Sequence, residues 1–167
     1  MTTGNILIAL SGAVLLAACA STPSSVPVAE AKLEARSGSS VAGTVTFTPV
    51  GDKVRIEARV SGLTPGEHGY HVHESGDCSA ADAGSAKGHF NPAGKPHGQH
   101  AGDMTNLLAD AAGNANMVAE LVQFALSEGA NGIVGRSIVI HADPDDYKSQ
   151  PAGNSGKRIA CGTIRLR

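Results

Sequence analysis

Seven histidines carry most of the chemistry available to this 167-residue chain: His68, His71, His73, His89, His97, His100 and His141. Imidazole serves either as an acid or base near neutrality or as a metal ligand, so spacing has to decide between the two. His71 and His73 lie two apart in the run HVH. On a strand that spacing sends both rings out of one face with Cα atoms roughly 6.5 to 7 Å apart, close enough to converge on one ion. His141 closes the apolar run SIVIH and reaches the same face if its strand packs alongside, although a lone histidine at a strand end more often caps or packs. The stretch 88–103, GHFNPAGKPHGQHAGD, adds His89, His97, His100 and Asp103 where Gly and Pro fill six of sixteen places. Neither a helix nor an ordinary strand accounts for that density, so it reads as a loop built to hold something.

The elements that must position these residues are strands. Val54, Ile56, Ala58 and Val60 alternate with Arg55, Glu57 and Arg59, the period of a strand with one buried and one wet face. Val41 to Phe47 alternates similarly, and Gly51-Asp52 marks a hairpin turn between the two. After the turn residues Leu63-Thr64-Pro65-Gly66, Gly69 to Glu74 reads as the strand that carries HVH. Further strands are expected at 31–36, 105–109, 117–121, 137–141 and 159–166. Segments 75–103, 123–136 and 142–157 have no sustained period, and loops this long in one domain are usually functional. With five aromatic residues, no Trp, 21 Gly, no internal repeat and no amphipathic helix of three turns, the chain is expected to be an all-β sandwich or barrel with Greek-key connections.

The opening MTTGNILIALSGAVLLAACA has an apolar run, Ile6 to Ala18, that is short for a bilayer span and ends in small residues, as an export signal does. Leu16-Ala17-Ala18-Cys19 resembles the bacterial lipobox, which would make Cys19 the lipidated first residue of the mature protein; an ordinary cleaved signal peptide is the alternative, and both export the chain. The following STPSSVPVAE suits a solvated tether. The expected division is therefore a signal over 1–18, a tether over 19–28 and one domain over 29–167. Residues 1–18 carry no charged side chain, so the mature chain keeps the formal net charge of −2. No Lys/Arg cluster suggests nucleic acid as a partner. In an oxidising compartment Cys78 and Cys161 are either a disulfide pair or two free thiols.

The motifs HVHESGDC, GHFNP, HAGD, VIHADPDD and KRIACG follow one another over most of the domain. Together they resemble the copper/zinc superoxide dismutase family in its exported bacterial form, from about Val41 to the C-terminus. The resemblance implies a flattened eight-stranded Greek-key β-barrel, an immunoglobulin-like sandwich with long metal-binding and electrostatic loops. It implies one copper and one zinc per subunit. The activity implied is dismutation of superoxide to dioxygen and hydrogen peroxide by alternating reduction and oxidation of the copper.

Carried onto this sequence, the resemblance makes His71, His73, His89 and His141 the copper ligands. His97, His100 and Asp103 would hold zinc together with His89, the bridging imidazolate, which also leaves copper on reduction and carries a proton. Imidazoles suit both metals, and three nitrogens with one carboxylate make an ordinary zinc shell. Asp145 would accept hydrogen bonds from His71 and His97 and fix their orientation. Arg158 would dock the superoxide anion, and a Cys78–Cys161 disulfide would tie the loop after HVH to the last strand and hold Arg158 in place. Lys148 and Lys157 are candidates for lining the anion's channel. His68 has no metal role and is assigned to local packing or hydrogen bonding.

In one place the chain departs from the family pattern: only Gly98 and Gln99 separate His97 from His100, a shorter spacing than the family's. Both rings reach one ion if this loop makes a helical type of turn; otherwise the zinc site has three ligands or is poor in metal. Two rival functions stand beside the enzyme. A non-catalytic periplasmic copper-binding or copper-delivery protein on the same fold would need no anion-docking Arg158. A zinc hydrolase would need a Glu or Ser base or nucleophile beside HVH, and none is placed there. The expected partner is superoxide, with membrane contact only through the lipid anchor and a monomeric or homodimeric state. The expected location is the periplasm at the outer membrane, since Ala20 stands where an aspartate would favour inner-membrane retention.

Overall fold

Alternation in sequence becomes alternation in burial along the first hairpin of the computed structural model, which describes Met1 and residues 28–167. Strands β1 (Ala29–Ala35), β2 (Ala42–Val50) and β3 (Lys53–Ser61) form a meander. Val54, Ile56, Ala58 and Val60 of β3 are buried while Arg55, Glu57 and Arg59 face outward. The β2–β3 hairpin pairs Val50 with Lys53, and Gly51 at φ +62° supplies the left-handed residue that so tight a turn needs.

The remaining strands are β4 (Gly66–His68), β5 (Tyr70–His73), β6 (Leu107–Ala109), β7 (Ala115–Leu121), β8 (Ser137–His141) and β9 (Arg158–Leu166). They form a curled antiparallel sheet in the order β5-β8-β9-β1-β2-β3-β7, and the pair β4-β6 lies beside β7. Only Gly69 separates β4 from β5. Counted as one bent strand, they give the eight strands of the expected barrel. Gly69 is glycine for want of room, since a Cβ there would lie 2.8 Å from Ser155 Oγ and 3.2 Å from the His71 ring.

The core fills the inside of this curl with Leu33, Val45, Phe47, Ile56, Tyr70, Val72, Ile138, Ile140 and Ile164, all nearly inaccessible to solvent. Burying a side chain of this size contributes about 1.5 to 3 kcal/mol, which makes the inner face the main source of stability. β5 and β8 differ from the other strands in being buried on both faces. Their inner face holds Tyr70, Val72, Ile138 and Ile140; their outer face carries His71, His73, Val139 and His141 under the loop 74–106. That loop is fastened by the Cys78–Cys161 disulfide, with Cα atoms 5.7 Å apart, and by packing of Ala83 and Ala86 on Val139.

The strand expected over 105–109 is confined to its apolar residues Leu107–Ala109, because Asn106 leaves the ladder and bonds the backbone of Asp145. Among the described residues, Gly84–Ala86 forms one 3-10 turn and no α-helix occurs. Cys19, the expected lipidation residue, lies outside the described residues.

Candidate metal centre

The open edge of β5 is where the loop 88–103 attaches. Phe90 N–H donates to the Val72 carbonyl at 2.8 Å, Val72 N–H to Gly102 at 3.0 Å, and Glu74 N–H to Gly88 at 2.9 Å. His89 is thereby set opposite His73, and Asp103 opposite His71. Gly102 makes this possible, because a Cβ there would run into the Val72 carbonyl and Phe90. On the other side, the β8–β9 ladder slips at Ile140/His141, and His141 is presented from that irregularity.

Two groups of four side chains result, and they share one member. In each, the ligand atoms lie within 4.8 Å of one another: His71, His73, His89 and His141 in the first, His89, His97, His100 and Asp103 in the second. The structure thus brings together the six histidines and the aspartate expected as ligands, including His97 across its two-residue spacer. The His71 and His89 rings stack with centroids 3.9 Å apart, and His73 Nε2 lies 3.4 Å from His141 Nε2.

The outer nitrogen is engaged on four of the six rings, and that assigns their inner one as a free lone pair. His71 Nε2 donates to Asp145 Oδ2 at 2.7 Å, and His97 Nε2 to Asp145 Oδ1 at 2.8 Å, which leaves both Nδ1 atoms facing inward. His73 Nδ1 donates to the Lys87 carbonyl at 3.0 Å, and His141 Nδ1 lies 3.4 Å from the Gly156 carbonyl, so their Nε2 atoms face inward. His71 Nδ1, His89 Nε2, His97 Nδ1 and His100 Nδ1 are buried without a hydrogen-bond partner. The last two lie 3.4 and 3.2 Å from Asp103 Oδ1 without hydrogen-bond alignment. An orphaned buried polar atom costs about 1 to 3 kcal/mol. Four of them converging from both sides of His89 are accounted for by two cations, and the donor sets, four imidazoles and three imidazoles with a carboxylate, fit copper and zinc.

Burial also keeps His71, His73 and His141 neutral and able to coordinate. It lowers His71 to about 4 and His141 to about 3, with neighbouring rings adding to the effect, and it holds His73 well below the ordinary value. For Asp145 burial works upward, but hydrogen bonds from His71, His97 and Tyr147 N–H outweigh it and leave the carboxyl far below its usual range. Asp103 is held low in the same way, with burial opposed by bonds from His89 and His100.

Arg158 opens β9 as the partner of His141 in the ladder, is half-buried, and donates from Nη1 to the Ala83 carbonyl at 2.8 Å. Lys148 and Lys157 are exposed on the loop 142–157. His68 has the local role assigned to it: Nδ1 donates to the His141 carbonyl at 2.9 Å, and Nε2 lies 2.9 Å from the Thr64 carbonyl.

Four residues escaped the sequence reading. Asn106 brackets Asp145, accepting from its N–H at 2.9 Å and donating to its carbonyl at 3.1 Å. Lys87, whose carbonyl orients His73, holds φ 63° and ψ −146°, a region that side chains avoid. Arg136 places its guanidinium 3.9 Å over the Phe90 ring, next to His89. Gln150 contacts the backbone of His97. Only Asn106, a polar residue beside an apolar run, left any local sign in the sequence.

Comparison with known proteins agrees with this geometry. Residues 41–164 match the family described as copper/zinc superoxide dismutase (SODC). The chain is 43% identical over 136 residues to Cu-Zn superoxide dismutase 2 of Aquifex aeolicus (strain VF5), covering 75% of this chain and 80% of the relative. It is 45% identical over 123 residues to Cu-Zn superoxide dismutase 1 of the same organism, covering 67% and 73%. Among solved structures, the crystal structure of the clock protein EA4 superposes with a TM-score of 0.77 at 37% identity, covering 85% of this chain and 96% of that one.

Proposed function

Since the chain belongs to the copper/zinc superoxide dismutase family, and so is an enzyme that dismutates superoxide with copper and zinc, we propose a division of labour among its own residues. His71 Nδ1 and the Nε2 atoms of His73, His89 and His141 would hold copper. The Nδ1 atoms of His89, His97 and His100 would hold zinc with Asp103. Copper supplies the one-electron acceptor and donor for the two half-reactions, and zinc a fixed charge on the far side of His89.

Arg158 docks the anion. With Nη1 committed to Ala83, its guanidinium is fixed and its remaining N–H groups are left for a diatomic anion. The chain carries a net charge of −2, so attraction of superoxide has to be local rather than global; superoxide dismutases are themselves a standard example of such steering by a focused field. His89 takes up a proton at Nε2 whenever that atom is free and gives it to the reduced oxygen species. Its Nδ1, beside Asp103 at 2.8 Å, keeps the ring in place meanwhile. The balance is two superoxide anions and two protons to one dioxygen and one hydrogen peroxide. Asp145 keeps the inward lone pairs of His71 and His97 aimed throughout.

The observation that carries this reading is the sharing of His89 by two convergent groups with unpartnered nitrogens on both sides. The test is metal content and superoxide turnover of the purified chain beside His89→Ala. One copper and one zinc per chain with turnover that His89→Ala abolishes is the expected result; copper at one equivalent without turnover overturns it.

The reading extends to the N-terminus: residues 1–18 export the chain, Cys19 is lipidated, and 19–28 tether a periplasmic domain to the outer membrane, as a monomer or homodimer. It is supported by the short apolar run ending at Ala18-Cys19 and by a disulfide of the kind that persists in oxidising compartments. Incorporation of labelled palmitate that is lost in Cys19→Ser tests the anchor, and sedimentation tests the assembly.

A further inference from the structure

The two-residue spacer between His97 and His100 leaves His97 without backbone support from its own loop. Gly98 N–H and His100 N–H both donate to Asp103 Oδ2, at 2.8 and 3.0 Å, and Gln99 N–H closes a turn on Pro96 at 3.1 Å. The N–H and carbonyl of His97 find no partner in 88–103. Both are met by one side chain 53 residues away: Gln150 Oε1 accepts from His97 N–H at 2.8 Å, and Gln150 Nε2 donates to the His97 carbonyl at 3.3 Å.

Gln150 stands on a well-tied platform. Asp146 accepts from Lys148 N–H, Ser149 N–H, Ser149 Oγ and Asn154 Nδ2, and Gly153 N–H donates to Ser149 at 2.7 Å. This platform meets the metal loop at two glycines. A Cβ on Gly98 would lie 2.6 Å from the Tyr147 carbonyl, and one on Gly153 would lie 2.6 Å from His97 Nε2 and fall on Asp145 Oδ1. Segment 145–153 thus grips His97 at both ends, the ring through Asp145 and the backbone through Gln150.

We propose that Gln150 is a positioning residue for the zinc site, fixing the backbone of His97 so that a loop too short to orient it alone still delivers its Nδ1 to the ion. The proposal rests on the assignment of His97 to zinc. Holding a ligand from outside its own loop is the role of groups whose loss lowers metal affinity about 10- to 100-fold.

Zinc affinity of the copper-loaded chain, measured by competition with a chromophoric chelator, tests it. Gln150→Ala should weaken zinc by roughly 10-fold or more. Gln150→Glu, which keeps the acceptor for His97 N–H and loses the weaker donor, should fall between the two. In a His97→Ala background Gln150→Ala should cause no further loss, because residue 150 then has no ligand left to position. Unchanged affinity in Gln150→Ala, or the same fractional loss with and without His97, would overturn the clamp. A chain that takes up no zinc before any substitution would instead overturn the assignment on which the clamp rests.

Discussion

His141 and Arg158 are partners across an irregularity in the β8–β9 ladder: Ile140 pairs with Ala160, and the next residue, His141, pairs with Arg158, so Ile159 is skipped. A bulge of this kind bends its strand and re-aims the side chains beside it. One backbone device therefore sets both a proposed copper ligand and the proposed anion-docking group, and the Arg158 charge is near enough to help depress His141 and His73.

Arg158→Ala removes the fixed guanidinium and leaves the four copper-side nitrogens untouched. The expected result is a fall in kcat/KM of about 100-fold, the scale for losing one preorganised stabiliser of an anion, with copper affinity unchanged. Arg158→Lys should recover part of the rate, as a point charge without the planar fork. Pulse radiolysis at several ionic strengths measures the rates, and in the alanine variant the salt dependence should flatten.

Replacing Cys78 and Cys161 by Ser opens a link across 83 residues of chain. Chain-entropy scaling puts the loss at roughly 4 to 5 kcal/mol, to be measured by denaturant unfolding at equal metal content. Turnover should fall as well, because the freed loop carries the Ala83 carbonyl that holds Arg158.

The parts of the site that were legible in the sequence are those a periodic element carries. HVH could be placed on one strand face because strand geometry has period two, and SIVIH was bounded as β8 from Ser137 to His141. The metal loop announced itself through Gly and Pro. Asp145 and the Cys78–Cys161 disulfide were implied by the family resemblance, but the other contacts that hold these residues in place were not legible, because they come from loops without a period across long separations: Asn106 to Asp145 over 39 residues, Gln150 to His97 over 53. Lys87 was hidden for another reason. Its backbone conformation is one that glycine would normally announce, while the glycine of the pair, Gly88, has open space around it and needs no special φ.

Asp145→Asn keeps the shape of the hub and spoils its chemistry. Two ring N–H groups and Tyr147 N–H all point at the carboxylate, and an amide offers one oxygen where they need two. Either His71 or His97 loses its partner, and zinc affinity should drop about 10- to 100-fold with a smaller effect on copper. Metal analysis after dialysis against a graded chelator series measures both.

Acidification should unfold the metal-free chain at a pH where most carboxyls are still ionised. His71 and His141, with folded values near 4 and 3, are held below the ordinary 6.5, and His73 lies well below it too. Between 6.5 and 4 the unfolded chain therefore binds protons on these rings that the folded chain does not, and stability falls as the pH is lowered through that window. Each such ring contributes a slope of up to about 1.4 kcal/mol per pH unit. Asp145, held below its unfolded value, acts in the same direction nearer the acid end, since its stabilisation is lost only as it becomes protonated. Metal should raise this curve without flattening it, because a coordinated nitrogen excludes protons just as the buried neutral ring does, and unfolding frees both to take them up. Thermal unfolding of metal-free and metal-loaded chain from about pH 7.5 to 4.5 measures both effects: the two midpoints should drop together below about pH 6.5, with the loaded one starting higher. A metal-free midpoint that stays level through that window would show that these histidines are not buried as neutral rings.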